Sequence, residues 1–224
     1  MMGREVGSLP ALVVLAKHPT PGRSKTRLCP PCLPEQAAAI AHAALLATLA
    51  ACASVPAARH VLALEGPPET WTGCGFDVLP QRGDGLGERI DAALADAGWP
   101  AVLMGMDTPQ VAAAEIEAAC RSLMAPGVDA ILGPCPDGGY WIIGLRHRCR
   151  GAFAGVPMSA ANTFDCQLRR LRELGLHVEV VGTHRDVDEW SDALEMAAVA
   201  PWSTFGHQVR QVADALARAG VSRR

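Results

Sequence analysis

Short apolar runs alternate with longer amphipathic segments along most of the chain. The short runs, bounded by Gly, Pro and polar residues, predict buried β-strands, and the longer segments predict helices. Strands are predicted at residues 12–16, 60–64, 76–79, 101–105, 129–132, 140–145 and 177–181. Helices are predicted at residues 35–53, 88–97, 112–123, 164–174, 189–199 and 205–219.

This alternation is typical of an α/β fold and predicts a mostly parallel sheet with helices on both faces. Neither a repeat nor a linker interrupts it. Residues 11–224 are therefore predicted to form a single domain behind a disordered lead-in of residues 1–10. The Ala-rich segment 37–53 is interpreted as a buried helix, and no apolar run is expected to reach transmembrane length.

Composition narrows the possible function classes. Of the 224 residues, 50% are hydrophobic and 19% are charged, which allows a sizeable core. The formal net charge of −3 argues against broad nucleic-acid binding, which needs a basic face. Residues 1–10 lack the basic end and apolar core of a signal peptide, so a cytoplasmic protein is predicted. Nothing in the sequence fixes the oligomeric state.

Eight cysteines are present, and those inside helical patterns are expected to behave as small buried apolar residues. Cys29 and Cys32 have the C-x-x-C spacing of metal and redox sites. A zinc site needs two further ligands, and no second pair accompanies them. They are interpreted as incidental thiols of a loop.

Four cations follow the first predicted strand closely: Lys17, Arg23, Lys25 and Arg27. Two Pro and one Gly among them exclude regular structure, so the cations are placed on a loop at the carboxyl end of the strand. Ligands of open α/β sheets bind at that edge, and clustered cations there predict a polyanion such as a phosphate. The alternative is a solvated basic loop. Because loop lysines are seldom packed, Lys25→Ala is expected to leave folding nearly untouched.

Carboxylates are predicted at the same edge of the sheet. Asp107 follows one buried strand, and Asp186 and Asp188 follow the last one. A carboxylate that faces a phosphate site fits a divalent cation between them, since Mg²⁺ takes one or two carboxylates and completes its shell with phosphate oxygens and water. Residues two apart on an extended chain point to opposite sides, so only one of Asp186 and Asp188 is expected to face the site. Helix capping remains the alternative for these carboxylates.

Two glycine-rich turns are weaker candidates. Asp137, Gly138 and Gly139 suggest a turn whose backbone approaches a ligand closely, although Asp-Gly is also a common hairpin signal. Gln81 offers paired donor and acceptor atoms beside a turn that includes Gly87, where a planar ligand could lie on the backbone.

Together these motifs resemble a known family. The loop Ala16-Lys17-His18-Pro19-x-Pro21-Gly22-x-x-Lys25-Thr26-Arg27-Leu28 is similar to the N-terminal signature of bacterial glycosyltransferase-A-like transferases of the radical-SAM/selenodomain-associated type. Motifs at residues 105–109, 133–140 and 186–188 follow in the family's order, so the resemblance covers residues 10–195. More distantly, the chain is similar to the guanylyltransferases of molybdopterin and phospholactate metabolism and to other nucleotide-diphospho-sugar transferases.

The resemblance implies a nucleotide site at the basic loop. Lys25, together with Arg23 and Lys17, would hold the nucleotide phosphates. Gln81 and Gly87 would lie against the base.

The resemblance also implies a metal and an acceptor site. Asp107 and Asp188 would ligate Mg²⁺ or Mn²⁺, and with Lys25 they would form the catalytic set. An acceptor pocket would be lined by Asp137, Gly138, Gly139 and Ser159. No D-x-D motif stands at the strand end that carries Asp107, although many metal-dependent glycosyltransferases have one there.

Three functions stay open at this point. A Mg²⁺-dependent transferase with a nucleotide-activated substrate is predicted, and the family's name favours glycosyl transfer from a nucleotide sugar to a small-molecule acceptor. The lysine-rich loop and the absence of a D-x-D motif favour nucleotidyl transfer, with release of pyrophosphate. A non-catalytic nucleotide-binding protein is the alternative from another class. The base, the sugar and the acceptor are not identified.

Overall fold

A computed structural model describes residues 9–220 of the chain and places seven strands and six α-helices in them. The strands are β1 Ala11–Lys17, β2 Arg59–Glu65, β3 Asp77–Pro80, β4 Ala101–Gly105, β5 Ala130–Pro134, β6 Tyr140–Leu145 and β7 Val178–Val180. The helices are α1 Pro34–Ala53, α2 Leu86–Ala97, α3 Ala113–Leu123, α4 Thr163–Glu173, α5 Trp190–Val199 and α6 Thr204–Arg218.

All seven strands join one sheet in the order β3-β2-β1-β4-β6-β5-β7. Neighbouring strands are parallel except at β6, which runs antiparallel to both β4 and β5. The predicted single α/β domain with a mostly parallel sheet is confirmed, and the reversal of β6 is the hairpin that Asp-Gly allowed as an alternative. The reversal follows from the tight turn between β5 and β6, where the Cys135 amide donates to the Gly139 carbonyl at 2.9 Å.

Helices cover both faces of the sheet, as the alternation predicts. Successive side chains of β1 enter different cores, because side chains of a strand alternate between its two faces. Leu12 and Val14 pack with residues of α1 and α3, whereas Val13 packs with residues of α2 and α4. Helices α5 and α6 pack against α1 in a third apolar cluster around Phe205.

Helix α1 is long and apolar. Its length and its mean hydropathy of 1.6 over the most apolar window would suffice to cross a membrane, so the expectation that no apolar run reaches transmembrane length is wrong. However, 61% of that window is buried inside the fold. Contacts with β1, α3 and α6 account for the burial. A core helix meets the same length and hydropathy criteria, and the packing of α1 is that of a core helix.

The predicted lead-in of residues 1–10 lies outside the described residues except for Leu9 and Pro10. Pro10 is buried, and its carbonyl accepts a hydrogen bond from the Ala58 amide at 3.0 Å. Residue 10 therefore already belongs to the packed fold.

All eight cysteines lie within the described residues and are free thiols. Cys52 and Cys120 are buried in the apolar core, as expected for small apolar side chains. Cys29 and Cys32 lie on the loop before α1, and both form part of the apolar cluster there.

Candidate active site

Residues that follow β1, β4, β5 and β7 line two adjoining cavities at one edge of the sheet. The basic cavity, of about 270 Å³, is lined by four cations and two carboxylates: Lys17, Arg23, Lys25, Arg27, Asp107 and Asp188. The acidic cavity, of about 600 Å³, has four carboxylates in its lining: Asp107, Asp137, Asp186 and Asp188. Asp107 and Asp188 line both cavities and so stand at their border.

Lys25 bridges the two carboxylates at this border. Its ammonium nitrogen lies 2.6 Å from Oδ1 of Asp107 and 3.5 Å from Oδ1 of Asp188, and it donates to the Val187 carbonyl. Because both oxygens contact one nitrogen, the two carboxylates emerge at the same edge and within reach of a single cation. Only 10% of the Lys25 side chain is exposed, so the expectation of an unpacked loop lysine is wrong.

Local hydrogen bonds hold Lys25 in this position. The loop closes on itself where the Thr20 amide donates to the Ser24 hydroxyl at 2.9 Å and the Ser24 amide donates to the Thr20 carbonyl at 3.0 Å. Lys25 then adopts the left-handed conformation, with φ of 49°, at the start of a short 3-10 turn. A non-glycine residue adopts this conformation rarely and at some energetic cost. The contacts of the ammonium group with Asp107 and Asp188 offset that cost.

A backbone contact joins the two carboxylate-bearing segments. The Val187 amide donates to the Asp107 carbonyl at 2.9 Å, which fixes Asp188 beside the end of β4. Arg27 then contacts Oδ2 of Asp188 at 3.1 Å. Burial alone would lower the pKa of Lys25, but the charge and hydrogen bond of Asp107, followed by the charge of Asp188, hold that pKa above its ordinary value. Lys25 is therefore a permanent cation at this border.

Asp186 and Asp188 both line the acidic cavity, so the expectation that only one of them faces the site is wrong. The expectation assumed an extended strand, but residues 181–188 form no regular structure and the two-residue alternation does not apply to them. Asp186 accepts a hydrogen bond from the Cys135 thiol at 3.2 Å. Burial, followed by the negative charge of Asp107, raises the pKa of Asp186 to about 6. The acidic cavity therefore holds more negative charge than the nearby cations neutralise.

The glycine turn between β5 and β6 supplies another carboxylate to the acidic cavity. It is the hairpin that Asp-Gly signals, and Oδ1 of Asp137 accepts from the Gly139 amide at 2.9 Å. Gly138 has φ of +91°, and a Cβ there would lie 1.9 Å from the Ala161 carbonyl oxygen, so only glycine fits. The turn therefore packs against the segment that carries Ser159. Ser159 is exposed and lines the same cavity.

Two cations of the basic cavity are exposed enough to bind an anionic ligand. Lys17 lies 3.6 Å from the Glu65 carboxylate, with 42% of its side chain exposed. Arg23 is exposed and forms no ion pair with any residue between positions 9 and 220. An exposed guanidinium or ammonium group can form charge-assisted hydrogen bonds with phosphate oxygens.

The structure does not bring Gln81 and Gly87 into either cavity lining. The Gln81 side-chain amide donates to the carbonyls of Ala16 at 2.8 Å and Ala63 at 3.1 Å, which ties together the ends of β1 and β2. Gly87 is buried in the first turn of α2, beneath Met158. Their predicted contact with a base stays a prediction.

Sequence reasoning missed two hydroxyl groups of the acidic cavity. Thr108 is 2% exposed, and its hydroxyl has no hydrogen-bond partner among residues 9–220. Among residues 9–220 the Tyr140 hydroxyl hydrogen-bonds only to the Met158 sulfur, at 3.8 Å, and burial raises the pKa of Tyr140, so the group remains a donor. Both residues stand in motifs singled out from the sequence, directly after Asp107 and Gly139, and this adjacency was the available signal.

The carboxylates at the border suit a divalent cation only in part. No group of three or more His, Cys, Asp or Glu residues in the described part of the chain is arranged to hold a metal ion. Asp107 and Asp188 supply two carboxylates, each with 41% of its side chain exposed. Two is the number that Mg²⁺ uses when phosphate oxygens and water complete its shell. The donor set therefore fits a hard cation that binds together with a phosphorylated ligand.

One family model matches the sequence. It covers residues 40–160, and the family is described as uncharacterized proteins conserved in bacteria (DUF2064). No curated protein is similar enough to match.

Solved structures share the fold over almost the whole chain. A proposed nucleotide-diphospho-sugar transferase from Desulfovibrio desulfuricans G20 is 27% identical, with a TM-score of 0.84 over 95% of this chain and 98% of that one. CMP:2-keto-3-deoxy-manno-octonic acid synthetase, complexed with CTP, is 12% identical, with a TM-score of 0.58 over 86% of this chain and 99% of that one. The manganese complex of Rv0371c from Mycobacterium tuberculosis H37Rv is 22% identical, with a TM-score of 0.51 over 85% and 98%.

Proposed function

The chain belongs to the DUF2064 family of bacterial proteins, and we propose that it is a transferase that binds a nucleotide-activated substrate in the basic cavity together with a divalent cation. The observation that carries this proposal is the position of Lys25 between Asp107 and Asp188, at the border of the basic and acidic cavities. At such a border a donor phosphate on one side can meet an acceptor on the other.

The basic cavity supplies the contacts that nucleotide phosphates need. Arg23 has no competing carboxylate among the described ion pairs, and Lys17 is largely available, so both can bind phosphate oxygens. Charge-assisted hydrogen bonds of this kind are about twice as strong as neutral ones. The volume of about 270 Å³ is suited to a diphosphate rather than to a whole nucleotide. The base and sugar would extend beyond it.

Asp107 and Asp188 would hold the divalent cation, Mg²⁺ or Mn²⁺. The cation would supply positive charge to the diphosphate as the bond to it breaks. Lys25 would add positive charge at the same point, and so would Arg27, which contacts Asp188 at 3.1 Å. Fixed positive charges that face a developing negative charge lower the barrier without reorganising. The manganese complex of Rv0371c supports a divalent cation in this fold, although its identity to this chain is 22%.

Glycosyl transfer from a nucleotide sugar to a small acceptor is the reaction that we favour. The anomeric carbon would lie at the border, the leaving nucleoside diphosphate in the basic cavity and the acceptor in the acidic cavity. The likeness to the Desulfovibrio protein, a proposed nucleotide-diphospho-sugar transferase, supports this choice. The carboxylates of the acidic cavity can orient an acceptor hydroxyl or amine for attack.

Nucleotidyl transfer is the second candidate. Its support is the single carboxylate at the end of β4, where no D-x-D motif stands, and the fold shared with a CTP-bound synthetase. In this reaction the acceptor attacks the α-phosphorus and pyrophosphate leaves. The same cations would neutralise that leaving group.

Product analysis distinguishes the two reactions. The protein would be incubated with Mn²⁺, a bacterial small-molecule extract as acceptor source, and either nucleoside triphosphates or nucleotide sugars. Release of a nucleoside diphosphate from a nucleotide sugar, dependent on the extract, is the expected result. Extract-dependent release of pyrophosphate from a triphosphate would establish nucleotidyl transfer instead. Tight binding of either ligand without turnover would favour a non-catalytic nucleotide-binding protein.

A further inference from the structure

The acidic cavity indicates the chemical class of the acceptor. We propose that it takes a small acceptor that carries an amine cation on an apolar body, and that it rejects anionic acceptors. The inference rests on the proposed function, because it assigns the acceptor side of the same site.

Charge is segregated between the two cavities. All four cations of the site line the basic cavity, and of them only Arg27 also lines the acidic one. Arg27 is already paired, with its guanidinium 3.1 Å from Asp188 Oδ2. A phosphate or carboxylate acceptor in the acidic cavity would therefore meet like charge without a free cation. An ammonium group would meet opposite charge.

Two of the four carboxylates of the acidic cavity have no ion-pair partner in the described part of the chain. Asp107 and Asp188 are paired with Lys25, and Asp188 also with Arg27. Asp137 and Asp186 have no Lys, Arg or His within ion-pair distance in the described part of the chain. Their partners there are a backbone amide and a thiol, respectively. A ligand cation would supply the missing charge.

An independent observation indicates that a polar ligand group enters this cavity. Thr108 lines it, is 2% exposed, and has a hydroxyl without any hydrogen-bond partner in the described residues. A buried hydroxyl without a partner is costly and rare in native proteins. Tyr140 also lines the cavity, and in the described residues its hydroxyl hydrogen-bonds only to a methionine sulfur. These two groups can bind a hydroxyl or amine of a ligand.

Part of the cavity wall is apolar. Its lining includes Leu15 of β1, Leu86 and Ile90 of α2, and Met158. Leu86 is 40% exposed. An apolar ligand body would cover these side chains and gain by removing their surface from water. The volume of about 600 Å³ leaves room for such a body beside the amine.

A matched pair of probes tests the charge preference. Naphthylmethylamine and naphthoic acid have the same aromatic body and opposite charges, and their dissociation constants would be measured by ligand-observed NMR on the metal-free protein. The amine is expected to bind about tenfold more tightly than the acid, which corresponds to about 1.4 kcal/mol. Asp137→Asn should remove most of this preference. That variant keeps an oxygen to accept from the Gly139 amide, so the turn is expected to fold.

Asp214→Asn is the control, because Asp214 is exposed on α6 and lines neither cavity. It should bind the amine as the wild type does. Equal or tighter binding of the acid would overturn the inference, and so would failure of Asp137→Asn to weaken the amine or of the amine to bind at all. Displacement of the amine by Mn²⁺ alone, in wild type and in Asp137→Asn alike, would also overturn it by assigning the carboxylates to metal.

Binding of CTP and UDP-glucose to the same protein separates this inference from the proposed function. Nucleotide binding together with a preference for the acid would overturn only the acceptor class. A preference for the amine without any nucleotide binding would support the charge preference of the cavity and overturn the transferase.

Discussion

The ammonium nitrogen of Lys25 lies 2.6 Å from Oδ1 of Asp107, in the space where the sequence predicts a metal ion. Together with Arg27, which pairs with Asp188, Lys25 therefore neutralises the two carboxylates when no metal is bound. A divalent cation that binds Asp107 and Asp188 has to compete with Lys25 for them. One side chain thus links the stability of the site to its ligand binding.

Lys25→Met should destabilise the metal-free protein by about 1–2 kcal/mol. The change leaves two neighbouring carboxylates without their cation, and their partial exposure keeps the cost below that of a fully buried pair. Urea denaturation in EDTA measures the difference. Lys17→Met is the matched control, since Lys17 is 42% exposed and lies 3.6 Å from its carboxylate, and it should change stability by no more than about 0.5 kcal/mol. Equal effects of the two variants would contradict the bridging role of Lys25.

Arg23→Gln should weaken binding of a nucleotide by about 1.5–3 kcal/mol without lowering the melting temperature. Arg23 is exposed and makes no ion pair in the described part of the chain, so its loss removes only a contact with the ligand. Isothermal titration calorimetry measures the nucleotide affinity, and a thermal melt measures the melting temperature. Unchanged affinity in the variant would remove Arg23 from the phosphate site.

The sheet and its ligand-binding edge could be predicted from the sequence because both depend on local patterns. Apolar runs and their spacing gave the strands, and the carboxyl ends of parallel strands meet at one edge. Asp107 and Lys25 were therefore expected near one another before any distance was known. The prediction required neither the strand order nor the loop conformation.

The contacts within the site could not be predicted in the same way, because they depend on long-range packing. The burial of Lys25 follows from the Val187 carbonyl and Asp188, which are more than 160 residues away in sequence. The common orientation of Asp186 and Asp188 follows from a segment without regular structure. The side-chain amide of Gln81 donates hydrogen bonds to two strand carbonyls, and no local motif predicts these bonds.

Thr108→Val should stabilise the ligand-free protein by about 1 kcal/mol, because it removes a buried hydroxyl that has no partner and keeps the shape of the side chain. A shift in melting temperature of about 2–4 °C corresponds to this change in a domain of this size. The same variant should bind naphthylmethylamine more weakly. A loss of stability would show that an ordered water or another group already satisfies the hydroxyl.

Asp186→Asn should stabilise the metal-free protein at pH 7 and flatten its pH dependence. The pKa of Asp186 is raised from 3.8 to about 6, so the folded state binds the proton more tightly than the unfolded state. Stability contributed by the protonated carboxyl is fully present below pH 3.8 and is lost as the pH rises through about 6. The expected gain of the variant at pH 7 is about 2–3 kcal/mol.

Urea denaturation of the wild type and Asp186→Asn at pH 4 and pH 7 in EDTA measures this pH dependence of stability. The wild type should lose stability relative to Asp186→Asn between the two pH values. A constant difference between the two proteins would contradict the raised pKa of the carboxyl.

A nucleotide phosphate and a divalent cation are proposed to meet at Asp107. Calorimetric titration of CTP and UDP-glucose into wild type and Asp107→Asn, with and without Mn²⁺, measures whether the two depend on this carboxylate. At least one ligand should bind the wild type more tightly with Mn²⁺ than without it, and Asp107→Asn should abolish this enhancement while remaining folded. Mn²⁺-enhanced binding that is equally strong in Asp107→Asn, or no binding of either ligand under any of these conditions, would show that nucleotide and metal do not meet at Asp107.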